Sequence, residues 1–228
     1  MNETAAHLVD AVLPPVPVRQ WVLTVPHGLR YAMARDPKLT SAVLKTFLSA
    51  VSCWIRKRLR QQNVRGLLKT GAVTSIQRFD SALALNVHFH ALVLDGAYGR
   101  NVDGSARFRP VAAPDDEDVA EVAMRVYRLV LKLFDGDNDE FTAREPGMAA
   151  IAAASLSKMV ATGGRKGLPV RRLKAGERPT SRLMGNRCAE VQGFNIHANV
   201  RVAGNDRQGL EKRRACASRA PRRIVLPR

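Results

Sequence analysis

The chain has 228 residues, enough for one large domain or two small ones, and its 37 Lys and Arg against 20 Asp and Glu give a formal charge of +17. Such an excess points to a polyanion, nucleic acid first and an anionic membrane surface second. The hydrophobic fraction of 46 % contains no run near the roughly 18–20 apolar residues of a bilayer span, which excludes a transmembrane helix.

The N-terminus, with acidic residues and no apolar h-region, argues for the cytoplasm. The first strand expected is "RQWVLTVP", 19–26, rich in Val, Trp and Leu and closed by Pro26. A long helix follows from Asp36 at the N-cap and Pro37 at the first helical position, with Val43, Leu44, Phe47, Leu48, Val51, Trp54, Ile55 and Leu59 recurring at three and four. Cys53 on this helix, Cys188 and Cys216 form no CxxC pair, so neither a disulfide framework nor a zinc knuckle is indicated. "GAVTSIQRF", 71–79, and "LALNVHFHALVLDG", 83–96, read as two strands of a hairpin joined around Asp80 and Ser81. The acidic run 115–118 suits the positive end of a second long helix, amphipathic through Val119, Val122, Val126, Leu129, Val130 and Leu133.

An Ala-rich helix near 146–160 and a strand "EVQGFNIHANVRV", 190–202, complete the pattern. The order predicts an α+β fold: a split β-α-β-β-α-β antiparallel sheet with helices on one face, in one domain over 1–206. The loop 163–179 carries six basic residues and one acidic, and the tail 207–228 eight and one. The loop holds Arg165, Lys166, Arg171, Arg172 and Lys174, the residues best suited to phosphate contacts. The tail has little periodicity and is expected to be irregular, as a shifted reading frame would leave it. Aromatics make up only 5 %, so affinity for nucleic acid should be electrostatic rather than by base stacking. Trp21 and Trp54 fall inside strand and helix patterns and belong to the core.

Two of the chain's five histidines, His88 and His90, stand one residue apart in an apolar run. On a strand they share a face about 7 Å apart, within bridging distance of one ion. Val87, Phe89, Ala91 and Val93 supply the opposite, apolar face, which leaves Asn86, His88 and His90 as a polar cluster in need of partners. Two imidazoles suit Mn²⁺, Zn²⁺ or Fe²⁺ better than Mg²⁺ and leave positions open for a substrate oxygen. The same pair could equally be two hydrogen-bonded structural histidines.

The segments "VRQWVLTVPHGLRY", "GAVTSIQRFDSALALNVHFHALVLDG" and "VQGFNIHANVRV" resemble rolling-circle transposases of the insertion sequence 91 family, of the HUH type. The resemblance runs from about residue 4 to about residue 212. It implies a bacterial, nucleoid-associated protein that nicks single-stranded DNA at the ends of an insertion element. In that family two strand histidines and a third polar ligand hold a divalent metal, Mn²⁺ or Mg²⁺, which polarises a scissile phosphate. A tyrosine on a following helix then attacks and retains the 5′-phosphate.

His88 and His90 match the two histidines, and Phe89 the bulky residue between them. Gln77 is the first candidate for the third ligand, and His197 the alternative. The family's tyrosine should follow the "GFNIHANVRV" strand, yet this chain has no tyrosine after Tyr127, and the family's zinc ribbon has no counterpart either. The expectation is a truncated form that binds DNA without the nucleophile; Tyr127 is a weak substitute, Tyr98 and Tyr31 weaker ones. The rivals are a non-catalytic nucleic-acid-binding protein with structural histidines and a small-phosphoester hydrolase. The second is disfavoured because no carboxylate accompanies the pair.

Overall fold

The computed structural model describes residues 12–80, 82–101, 103–134, 143–170, 179–206 and 208–210 with their side chains, and 222–225 as backbone. In chain order the elements are β1 (Val18–Thr24), α1 (His27–Arg35), α2 (Pro37–Gln61), β2 (Ala72–Phe79), β3 (Leu85–Leu94), β4 (Gly96–Arg100), β5 (Ala106–Pro110), α3 (Asp116–Leu131), α4 (Pro146–Leu156), β6 (Arg182–Gly185), β7 (Cys188–Val191), β8 (Phe194–Val202) and β9 (Arg222–Val225).

The two long helices begin where their caps dictate. The Asp36 carboxylate accepts from the backbone N–H of Lys38 at 2.7 Å and of Leu39 at 3.2 Å, with Pro37 at the first turn of α2. Asp115 and Asp118 form a reciprocal capping box at the start of α3. Arg58 of α2 donates to the Asp118 carboxylate at 2.6 Å, which ties the two helices together through the same cap.

The strands form a seven-stranded sheet in the order β6-β7-β8-β1-β3-β2-β9, every pair antiparallel. This is an α+β fold. β1 lies between β3 and β8, so the connection through α1 and α2 passes over β3 to reach β2. Residues at odd positions of β1 and β3, with Ile196 and Ala198 of β8, join the apolar sides of all four helices in the main core. Trp21 and Trp54 meet there with ring centroids 5.6 Å apart, as their patterns predict.

Among the described residues the other face of the sheet carries no helix other than the helical residues 208–210. One end of it is covered: Val18, Val73, Leu94 and Val202 pack with Leu13 and Leu210, flanked by Tyr98 and Phe108 of the β4–β5 hairpin. Gly96 is required where that hairpin leaves the sheet, because a Cβ there would strike the Arg109 carbonyl oxygen and approach Pro110 Cα to 2.9 Å. The opposite end, beyond Leu92, is left to His90, His88 and Gln77.

Five features depart from the sequence expectation, the first being the short strand β6, which no local pattern announces. α1 has no side-chain cap and buries only Leu29, Ala32 and Met33, so packing rather than a local signal makes it helical. The β4–β5 hairpin is short and Arg-rich, which hides its alternation. The expected strand 190–202 is two strands, β7 and β8, joined by a turn at Gln192 and Gly193 with φ of 51° and 84°. Two positive φ values define the turn type that Asn-Gly or Asp-Gly usually announces, and Gln-Gly conceals it. Finally, Arg222–Val225 of the tail, expected to be irregular, pairs with β2 as an edge strand.

Candidate metal centre

His88 and His90 both project from the face of β3 that turns away from the four helices, and their ring centroids stand 5.0 Å apart. β2 sets Gln77 directly opposite His88 and Ser75 opposite His90, so cross-strand register alone delivers the third donor. His88 Nε2 lies 2.6 Å from Gln77 Oε1, and His88 Nδ1 lies 2.6 Å from the Asn86 carbonyl oxygen. A carbonyl only accepts, so Nδ1 carries a hydrogen, and Nε2 is the nitrogen turned to the Gln77 side chain.

His90 carries an unmet valence. Its Nδ1 lies 2.9 Å from Gln20 Nε2 on the neighbouring strand β1, and its Nε2 is buried without a hydrogen-bond partner. Six buried side-chain polar atoms lack a partner among the described residues, and Ser75 Oγ, Asn86 Oδ1 and His90 Nε2 are three of them. All three belong to this patch, and buried polar atoms without partners are costly. The residues present fit a divalent metal held by His88 Nε2, His90 Nε2 and Gln77 Oε1. The donor set is neutral, so a bound ion would keep its full charge for an anionic substrate.

Among the described residues no three His, Cys, Asp or Glu side chains come together to hold a metal, which separates the two candidates for the third ligand. Gln77 touches His88. His197 lies across β1, opposite Val22 and Cys188, about two strand spacings or roughly 10 Å from His90. Sequence reasoning placed Asn86 in the patch and missed Gln20 and Ser75. Only pairing between β1, β3 and β2 shows that those two share it.

Burial, and after it the neighbouring His88, pulls the His90 pKa down to about 4 from 6.5. Between those values an unfolded chain takes up a proton that the folded chain refuses. Metal-free protein should therefore keep its full stability above about pH 6.5 and lose it as the pH falls toward 4, by about 2 kcal/mol after discounting for solvent screening. Urea midpoints in EDTA at neutral pH and near pH 4.5 measure this. A slope that is the same in His90→Gln would show that this ring does not carry it.

The tyrosines do not join the histidines. Tyr127 is 8 % exposed and packs edge-on against Phe194 at 6.2 Å in the helical core, on the opposite face of the sheet, which removes it as a nucleophile for this site. Tyr98 leans on Phe108 at 5.3 Å at the covered end, roughly 13 Å along β3 from His90. Tyr31 is exposed on α1, beside His27, and α1 packs on the helical side. Of the residues expected to meet phosphates, Arg165 and Lys166 are exposed in a turn that follows α4. Arg171, Arg172 and Lys174 lie outside the described residues.

A family model described as "Putative transposase" matches residues 71–212, more than half of the chain. The chain belongs to that transposase family. No curated protein and no solved structure matches it. The matched span of the transposase runs from β2 to β8 and includes Gln77, His88, His90 and His197, while β1 with Gln20 precedes it. The match supports a transposition-related function, and DNA is what a transposase acts on. No described helix is long and apolar enough to cross a membrane.

Proposed function

We propose that this transposase is of the rolling-circle, HUH type, and that the uncovered face of its sheet receives single-stranded DNA at the ends of an insertion element. The observation that carries the proposal is the histidine pair with Gln77 on adjacent strands, His88 Nε2 within 2.6 Å of Gln77 Oε1 and His90 Nε2 buried without a partner beside them. The strand order around it, with the histidine strand central beside β1, supports the same assignment. His88, His90 and Gln77 would hold Mn²⁺ or Mg²⁺, which when bound polarises a phosphodiester for attack.

The chain's own residues orient and bind. Asn86 O fixes the His88 tautomer, Gln77 faces its Nε2, and the charge of +17 draws a phosphate backbone to the protein. None of the three tyrosines shares the histidine face, so the covalent phosphotyrosine step is the part this chain does not carry out.

A labelled single-stranded oligonucleotide with a terminal hairpin, incubated with Mn²⁺ or EDTA, tests this. The expected result is a Mn²⁺-enhanced mobility shift on a native gel, weakened steeply by salt, and no covalent band on a denaturing gel. A covalent band mapped to Tyr31 would overturn the loss of the nucleophile. A shift indifferent to metal and to His88→Ala would favour the second reading, a non-catalytic DNA-binding protein.

A further inference from the structure

We propose that Gln20 is a positioning residue that selects Nε2 of His90 as its metal-coordinating nitrogen. The inference rests on the metal centre proposed above and adds a residue on β1, outside the span that the family model matches. Gln20 is only 8 % exposed, and its amide reaches diagonally across the β1–β3 pair, from a position opposite Leu92, to lie 2.9 Å from His90 Nδ1. Clamping Nδ1 on the β1 side holds the ring with Nε2 buried and unpaired beside His88, whose ring centroid is 5.0 Å away.

A glutamine amide can meet Nδ1 with either end, and the two ends have opposite consequences. With the nitrogen inward, as the atoms lie here, the amide donates to the Nδ1 lone pair, and the hydrogen of a neutral ring sits on Nε2. With the amide turned over, the oxygen accepts from Nδ1–H, and Nε2 presents a lone pair. Conversion moves the ring hydrogen from Nε2 to Nδ1 through solvent, with no net proton gained or lost. In either orientation Gln20 keeps Nδ1 occupied, so Nε2 is the nitrogen left for a cation, and the turned amide holds the open tautomer once the cation is bound. Metal-binding histidines depend on such a partner at the second nitrogen, and its loss typically costs about 10- to 100-fold in affinity.

The test is Mn²⁺ titration of the full chain, followed by the electron paramagnetic resonance of the free ion, in wild type, Gln20→Leu and Gln20→Glu. Leucine keeps the bulk and removes the hydrogen bond; glutamate is locked oxygen-inward. The expected result is binding weakened by about 10- to 100-fold in Gln20→Leu and kept within a few-fold of wild type in Gln20→Glu. Imidazole ¹⁵N spectra of the wild type with Zn²⁺ should show His90 coordinated through Nε2 with hydrogen on Nδ1.

Wild-type affinity in Gln20→Leu, with or without a lower melting temperature in EDTA, would mean a merely structural glutamine and overturn the proposal. Should Gln20→Leu fail to fold, the Zn²⁺ spectra decide, and coordination through Nδ1 overturns it equally. Wild-type protein that binds no Mn²⁺ overturns the metal centre and this inference together. Binding in wild type with an indifferent Gln20→Leu sinks this inference alone.

Discussion

His90→Ala and His88→Ala are each expected to reduce Mn²⁺ affinity by more than about 100-fold, beyond the loss typical of outer partners, since each removes a ligand outright. Metal-dependent DNA binding should disappear with it. Gln77→Ala should cost about 10- to 100-fold, because an amide oxygen is a weaker donor but sits directly opposite His88. His197→Ala should change the affinity less than two-fold, since β1 stands between it and the pair. Calorimetric titration with Mn²⁺ reads all four. The variants separate the two candidates that the sequence left open: a large effect at position 197 with none at 77 would reverse the assignment.

The second large effect concerns stability. Arg19 is 2 % exposed within the sheet; its guanidinium donates twice to the Asp95 carboxylate, both at 3.0 Å, and once to the Ala198 carbonyl oxygen at 3.0 Å. It thereby joins β1, the end of β3 and β8 in a single fork. Arg201 adds a third donor to the same carboxylate at 3.0 Å but is half exposed. Arg19→Met removes one partner of a buried pair and leaves Asp95 with Arg201 alone. Breaking such a pair costs about 3–5 kcal/mol, and the remaining arginine keeps this one near the lower figure. For a chain of this size that is a drop of roughly 6–12 °C in melting temperature.

Arg19→Met combined with Asp95→Leu should recover most of the loss, because a buried ion pair replaced as a whole by apolar side chains is often neutral or better. Thermal melts of the single and double variants check this. No recovery would mean that the fork, rather than the stranded charge, holds the strands together.

The core elements were legible because their signals are local. The 3.6-residue period of α2, the acid cap of α3 and the alternation of β3 each depend on neighbours in the sequence, and all three appear as expected. The short elements were not. α1 lacks a cap and the Gln192-Gly193 turn uses an uncommon dipeptide, so both are decided by what the surrounding chain packs against them. The tail strand Arg222–Val225 depends on an open edge of β2, which no local pattern can announce.

For the site, spacing by itself put His88 and His90 on one face, since a strand alternates with period two. It also set Val87, Phe89, Ala91 and Val93 on the other face. What spacing could not do was choose among Gln77, His197 and the tyrosines, because that choice depends on which strand lies beside which. The order β8-β1-β3-β2 brings Gln77 against His88, puts β1 between the pair and His197, and sets Tyr127 behind the sheet. It also brings Gln20 to His90 from some seventy positions away, a contact made by pairing and carried by no motif. Composition and period determined the charge, the helices and the pair; the pairing of distant strands determined which side chains the pair can use.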